Sequence, residues 1–159
     1  RDFYTNENGE VLWWGSQEEN AGVWGEIEPY DSPLLMFKAG ASSWKVGHIY
    51  EDLEDVVFSA DIVADLAGRE TITVPAGTFT CYKIIYRLTN IKLEQSPSDI
   101  QITGYKLNST TTMWLALDKG IVKSEDKTSV SLTFREQEMG AVGTISGESS
   151  YTQTLKPAG

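Results

Sequence analysis

Cysteine and histidine are nearly missing from this 159-residue chain, which has one of each, Cys81 and His48. A single cysteine excludes an internal disulfide and a metal site built on a thiolate pair. We expect Cys81 to act as a small apolar residue in a strand, since the sequence places no activating neighbour beside it. A single histidine lacks the second imidazole or thiolate that transition-metal sites need, so we expect His48 to be exposed or packed.

Long apolar runs and clustered basic residues are lacking too. No stretch of about 18 apolar residues occurs, so we expect no membrane-spanning helix in this chain. The net charge is −10, and residues 1–70 carry 15 acidic but only 4 basic side chains. Such a chain repels phosphate groups, which argues against nucleic acids and anionic membrane surfaces as partners.

Catalytic motifs are equally scarce. The chain has no P-loop, no dinucleotide fingerprint and no Gly-x-Ser-x-Gly elbow. The acidic segment Glu51–Asp55 reads as a solvated turn, because it lacks the alternating acids and the glycine of a calcium loop. Glu136 and Glu138 lie two apart on one strand face, whereas a glycosidase needs two carboxylates across a cleft; the same holds for Glu26 and Glu28. We predict no catalytic residue, no cofactor, no metal and no enzyme activity.

What the chain has in quantity is β-prone segments separated by turn signals. Pro75-Ala76-Gly77 lies between two such segments and predicts a tight reversal, in which proline presets φ and glycine takes the left-handed position. Asn8-Gly9 and Asp118-Lys119-Gly120 predict further hairpins. The chain is therefore expected to fold back on itself as antiparallel ribbons.

Apolar and polar residues alternate along several of these segments. From Val56 to Leu66 the even positions are apolar, which predicts a strand, although the Ala- and Asp-rich composition leaves a helix open. The segment Val130–Arg135 alternates most regularly. In the second strand of the Pro75 hairpin apolar residues occupy both sides, so both faces of the sheet should be partly covered.

About nine or ten such strands at this spacing are typical of an all-β domain. We predict one domain over residues 1–159, an antiparallel meander that forms a curved, incomplete or distorted barrel with little helix. Residues 1–55 are interpreted as part of it or as an N-terminal extension packed on its sheet. The concave side would carry candidate residues facing an apolar ligand: Phe79, Tyr82, Trp114, Leu132 and Phe134.

The first 30 residues are rich in aromatic side chains, and two interpretations of them stay open. Trp13, Trp14 and Trp24 are typical of a sheet core, since aromatic side chains bury large areas. Exposed on a sheet beside acids and amides, the same rings could stack on sugars. The second interpretation predicts a carbohydrate-binding domain.

Two phrases resemble a large group of uncharacterised bacterial envelope proteins. The first is ETITVPAGTFTCYKI at Glu70–Ile84, and the second is MWLALDKGIVK at Met113–Lys123. Their order and spacing match that group over roughly Val56–Lys127. The group includes TapB-like proteins and a domain of unknown function, and it is similar in fold to the lipoprotein carrier LolA.

The resemblance implies an exported bacterial protein, often lipid-anchored, with an unclosed antiparallel barrel and no known catalysis. We therefore expect a location in the cell envelope, either periplasmic or anchored to the outer membrane or the surface through a segment ahead of Arg1. The function expected is non-enzymatic binding of an apolar small molecule, a lipid or a lipidated envelope protein. The alternatives are carbohydrate binding and a purely structural surface domain.

Overall fold

The computed structural model describes residues 2–16, 19–20, 23–24, 28–53, 56–95, 100–136 and 138–157. These residues form eleven strands and no helix. The strands are β1 (Asp2–Glu7), β2 (Glu10–Ser16), β3 (Glu19–Asn20), β4 (Val23–Trp24), β5 (Glu28–Lys38), β6 (Ser43–Leu53), β7 (Val56–Val74), β8 (Gly77–Gln95), β9 (Ile100–Ala116), β10 (Gly120–Glu136) and β11 (Val142–Thr154).

The strands form three antiparallel sheets. The largest has six strands in the order β11-β10-β9-β8-β7-β6, which is a simple meander with β6 and β11 at its edges. A second sheet has the order β1-β2-β5, and β3 pairs with β4. The predicted all-β antiparallel meander is confirmed, and the six-stranded sheet does not close into a barrel.

The predicted hairpins are present. Asn8 and Gly9 join β1 to β2 with positive φ values of 53° and 80°, as a two-residue hairpin turn of the Asn-Gly type requires. The turn at Pro75 is one residue shorter than expected, because Gly77 already pairs with Val74 as the first residue of β8. Gly120 likewise begins β10, with φ of 84°.

Several segments that the sequence divides into short strands are continuous. The strand predicted at Val56–Leu66 is confirmed as the first part of β7, which runs 19 residues through Gly68 to Val74, so the helix left open there does not form. A register shift between Leu66 and Gly68 absorbs the irregularity, since a β-bulge adds a residue without ending the pairing. The prediction of an acidic turn at Glu51–Asp55 is wrong for residues 51–53, which belong to β6; Glu54 and Asp55 lie outside the described residues.

The six-stranded sheet is covered unequally on its two sides. Its inner face, the side that carries Ile84 and Tyr86, packs against Val11, Leu34 and Phe37 of the three-stranded sheet. Its outer face, the opposite side, holds a smaller cluster around the Pro75 hairpin: Val74, Cys81, Trp114, Ala116 and Val122. Both faces are therefore partly covered, as the β8 pattern predicts.

Strands β8 and β9 pair only along part of their length. Their register runs from Tyr82 opposite Leu115 to Arg87 opposite Thr110. Beyond that point the side-chain amide of Gln95 bonds the backbone of β9, donating to Ile100 O at 2.7 Å. The ladder between the two strands is therefore not continuous beyond Arg87 and Thr110.

Candidate functional site

The space between the two sheets contains a groove on the inner face. One part is a cavity of about 170 Å³ and an adjoining part measures about 430 Å³. Both parts share four lining residues: Trp13, Met36, Thr111 and Met113. The two parts therefore adjoin, and together we call them the inter-sheet groove.

The walls of the smaller part are mainly apolar. Its lining includes Leu34, Val46, Ile62 and Leu88, and the hydroxyl groups of Ser109 and Thr111 are among its few polar groups. Ligand sites for small molecules commonly combine such apolar walls with a few placed polar groups. The groove thus suits an apolar body more than a polar one.

Tyr86 holds the two sides of the groove together. It projects from β8, and its hydroxyl donates to Met36 O on β5 at 2.6 Å and to Met113 Sδ at 3.7 Å. Burial, with a smaller contribution from Tyr4, raises the pKa of Tyr86 well above its usual value. The phenol therefore stays neutral and acts as a fixed donor across the interface.

Trp44 makes a second link of the same kind. Its indole Nε1 donates to Leu35 O at 2.7 Å, and its ring packs edge-on against Phe37 with centroids 6.2 Å apart. Two side chains of the large sheet thus bond the backbone of β5. These two bonds tie the small sheet to the large one across the groove.

The larger part of the groove has a polar mouth. Gln153, Lys156 and Asp126 line it together with Leu155. Asp126 Oδ1 accepts a hydrogen bond of 2.6 Å from Thr111 Oγ1, while Lys156 is exposed. A molecule with an apolar body and an anionic head could therefore lie along the groove with its head near Lys156.

The five candidate residues from the sequence lie in three places. Phe79 and Trp114 are part of the outer-face cluster. Tyr82 is on the inner face, where its ring lies 4.8 Å from that of Phe37. Leu132 and Phe134 lie farther along β10, opposite Ile145 and Gly143 of β11. None of the five is among the residues that line the inter-sheet groove.

Sequence reasoning missed the residues that do line the groove. Met36 and Met113 come from strands far apart in the chain. For Met113, the alternation along β9 was the sequence pattern that could have indicated which face of the sheet it occupies. Met36 lies in the run Leu34–Lys38, whose type the sequence left undecided. Which face of one sheet would meet the other could not be deduced from either strand alone.

Trp114 is enclosed by charged groups rather than open to a ligand. Lys123 Nζ lies 4.6 Å and Lys83 Nζ 5.1 Å from the centre of its ring. Its Nε1 donates to Glu70 Oε1, and this bond, followed by the nearby Lys83, lowers the pKa of Glu70. The ring is buried, so its role is to organise this cluster.

Cys81 lies in the outer-face cluster with no exposed surface. Burial raises the pKa of its thiol, with smaller contributions from Glu70 and Asp118. A raised pKa reduces the thiolate fraction and with it the reactivity. The predicted placement of Cys81 as a small apolar strand residue is confirmed.

His48 joins an acid that the sequence did not connect to it. The register of β6 and β7 places His48 opposite Asp61, and Nδ1 lies 3.0 Å from Oδ1. Asn90 donates to Oδ2 at 2.8 Å and Lys45 Nζ lies 2.7 Å from Oδ1. These contacts, with Asn90 the largest, lower the pKa of Asp61.

This network is a set of exposed polar contacts. Within the described ranges, no group of three or more His, Cys, Asp or Glu side chains is arranged to hold a metal ion. Neither Asp61 nor His48 lines the inter-sheet groove. The network can orient the imidazole of His48 through its contact with Asp61.

The tryptophans of the N-terminal segment face different ways. Trp13 packs against the inner-face core, whereas Trp14, its neighbour on β2, is 40% exposed and donates to Thr5 Oγ1 at 3.0 Å. The side chain of Trp24 lies outside the described residues, as do those of Glu26 and Glu28. Of the rings proposed to stack on sugars, Trp14 is thus the exposed one among those described.

Comparison with known proteins finds one family likeness. The model of the DUF3108-like family matches residues 62–129, which is less than half of the chain. The match covers most of Val56–Lys127 and agrees with a resemblance to an uncharacterised family. No curated protein and no solved structure matches the chain.

Proposed function

We propose that this protein is a non-enzymatic binding module of the bacterial cell envelope, and that it holds an apolar ligand or a lipidated partner in the inter-sheet groove. The observation that carries the proposal is the pair of adjoining cavities walled by Trp13, Met36 and Met113. Methionine side chains adapt their shape to different apolar surfaces. The groove thus fits a flexible chain rather than one rigid molecule.

Further support comes from the two ends of the groove. The smaller part lies where β8 and β9 diverge, and the larger part opens beside Lys156 and Asp126. A single acyl chain could enter with its body between the sheets and leave its polar head in water. No catalytic step is part of the proposal.

The location and the kinship are proposed on the resemblance alone. The phrases at Glu70–Ile84 and Met113–Lys123 resemble a group that includes TapB-like envelope proteins, and that group is similar in fold to the lipoprotein carrier LolA. In that group an unclosed barrel presents an apolar side. No helix in the described part of this chain is long and apolar enough to cross a membrane.

Uptake of a fluorescent fatty acid tests the proposal. Thr111 lines both parts of the groove, so Thr111→Phe should fill the junction and weaken the probe's affinity by about tenfold or more. The matched control is Thr110→Phe, because Thr110 is the neighbouring residue on the other face of β9 and is also half-buried. The control should leave affinity within about twofold of the parent chain.

Two results would overturn the proposal. The first is a folded parent chain that takes up no probe at any concentration tested. The second is equal loss of uptake in both variants, which would place the probe elsewhere. Glycan binding that disappears in Trp14→Ala while fatty-acid uptake is absent would instead support the carbohydrate alternative.

A further inference from the structure

Strand β11 is an edge strand that lacks the usual protection. Its register with β10 runs without interruption from Arg135–Val142 to Lys123–Thr154, so it has no bulge there. It contains no proline and no lysine, and its only charged residue is Glu148. Natural sheets protect long edges with such features, and an edge without them is ready to pair with another strand.

The opposite edge of the same sheet differs. Strand β6 has a register shift between Lys45 and Gly47, and it carries Lys45, Glu51 and Asp52. These charges and the bulge discourage pairing at that edge. Of the two edges of this sheet, β11 is therefore the one more open to pairing with another strand.

The backbone pattern shows which groups of β11 are free to pair. Leu155 N donates to Val122 O at 2.8 Å, directly beyond the Thr154–Lys123 pair. In an antiparallel ladder such a bond makes Thr154 a non-hydrogen-bonded position, and the two kinds alternate. Even-numbered residues from Thr144 to Thr154 therefore direct their N–H and C=O groups away from β10.

We propose that two copies of this chain associate through β11, paired antiparallel with β11 of the second copy about a two-fold axis at Ser149. Only even-numbered residues direct their backbone groups away from β10, so the axis must pass through a residue position rather than between two. An axis at Glu148 would place two carboxylates opposite each other, which is destabilising. An axis at Ser149 places Glu148 opposite the partner's Ser150 instead.

The side chains of the inner face favour this axis. Tyr151 comes opposite the partner's Gly147, and a Cβ at Gly147 would meet nothing within 4 Å. Val130, the cross-strand neighbour of Gly147, is left 37% exposed. The aromatic ring can therefore cover both residues, as aromatic side chains do over glycines in sheets.

The alternative axis at Gly147 lacks this fit. It would place Tyr151 opposite the partner's Gly143, where the ring of Phe134 already occupies the position of a Cβ. It would also place two glycines opposite each other at the centre, with no side chains to pack. The open space at Gly147 and the filled one at Gly143 thus decide between the two axes.

Sedimentation equilibrium over a wide range of protein concentrations tests the association. The parent chain should form dimers, and salt should strengthen them by screening the repulsion between two chains of charge −10. Tyr151→Ser should raise the dissociation constant by about tenfold. Its control is Tyr50→Ser on β6, since both tyrosines are 61% exposed, and it should change the constant by less than about twofold.

Oxidative crosslinking tests the position of the axis. With the axis at Ser149, the two copies of Ser149→Cys face each other with their Cα atoms about 4.5 Å apart. This distance allows a disulfide to form. Thr152→Cys, opposite the partner's Ser146, should crosslink at least about tenfold less, because the two cysteines would lie roughly 20 Å apart. Cys81 does not compete because it is buried.

Several results would overturn the proposal. They are a chain that stays monomeric at all concentrations, equal effects of Tyr151→Ser and Tyr50→Ser, and equal crosslinking of the two cysteine variants. Circular dichroism of each variant establishes that it is folded. Because both tyrosines are exposed in the single chain, their replacement leaves folding intact and the comparison valid.

Discussion

The β7–β8 half of the six-stranded sheet and its β10–β11 half consist of similar long strands, yet they differ in what covers them. In the first half, Ala64 and Ile84 have no exposed surface because the three-stranded sheet packs on them. In the second half, no residue of β11 is buried, and Ile145 is 63% exposed. Alternating apolar and polar residues favour a strand, but the apolar side chains are buried only where a second sheet packs on them.

The same contrast appears within one strand. The end of β9 from Met113 to Ala116 is buried, whereas its beginning from Ile100 to Leu107 is mostly exposed or half-buried. The exposed half depends on the backbone ladder and on cross-strand hydroxyl pairs such as Ser109–Thr128, at 3.1 Å. Such pairs contribute only about 0.2–1 kcal/mol each, so this half should open more easily.

The largest expected effect comes from replacing one isoleucine by alanine in each half of the sheet. Ile84→Ala should lower the free energy of unfolding by about 2–5 kcal/mol, because it leaves a cavity in the covered half. Ile145→Ala should change it by less than about 0.5 kcal/mol. Chemical denaturation measures both, and equal losses would show that the two halves are not covered differently.

The next largest effect is expected from removing the hydrogen bond by which Tyr86 joins the two sheets. Tyr86→Phe removes the donor to Met36 O and should cost about 1 kcal/mol or more in unfolding free energy. The control is Tyr151→Phe, at an exposed site, measured at low protein concentration where the chain is monomeric. Its stability should not change.

The same residue predicts a loss of stability at high pH. Because the pKa of Tyr86 is raised in the folded protein, the folded chain keeps this proton where the unfolded chain loses it. The stabilisation is complete below about pH 10, the ordinary tyrosine pKa, and is lost as the pH rises further. Tyr86→Phe should make the alkaline decline in unfolding free energy shallower; an identical decline would contradict the prediction.

Thiol modification compares the opening of the two halves. Cys81 is buried and its pKa is raised, so it should react at least about a hundredfold more slowly than an exposed thiol, and mainly through opening of the sheet. The reference is Lys127→Cys, at an exposed position of β10 in the less covered half, with the reaction followed by a chromogenic disulfide reagent. Similar rates at the two sites would mean that Cys81 is accessible in the folded chain.

The smallest effect belongs to the exposed network around Asp61. Its carboxylate has a lowered pKa because of Asn90, Lys45 and His48. Its stabilisation is therefore present above the ordinary aspartate pKa of about 3.9 and is lost as the pH falls through the lower folded value. Asp61→Asn should flatten the acid decline of the melting temperature slightly, and added salt should reduce the difference. A steeper decline in the variant would be inconsistent with this network.

Short-range sequence patterns predicted most of the strands and turns. Asn8-Gly9, Pro75-Ala76-Gly77 and Asp118-Lys119-Gly120 mark real hairpins, since each contains a residue with positive φ, which few residues adopt. Strand ends were less predictable. The chain continues through Gly68 because a bulge costs little where neighbouring strands hold both sides, and this depends on residues far away in sequence.

The candidate site was less predictable than the fold. The five proposed residues are apolar strand residues, but alternation cannot tell which face of a strand will meet a second sheet and which will meet a local cluster. Trp114 and Met113 are adjacent, yet one is on the outer face among lysines and the other lines the groove. Only their assignment to opposite faces followed from the sequence.

The sequence alone determined the all-β class and the antiparallel order, because these depend on short-range backbone preferences. It also predicted no metal or nucleotide site, because such sites need residue types and motifs that the sequence does not contain. The packing of the three-stranded sheet on β6–β9, the inter-sheet groove beneath it and the pairing of His48 with Asp61 arose only in the folded chain. Their contacts join positions tens of residues apart, whose meeting depends on register and layer packing. A one-residue change of register would turn every such side chain to the other face.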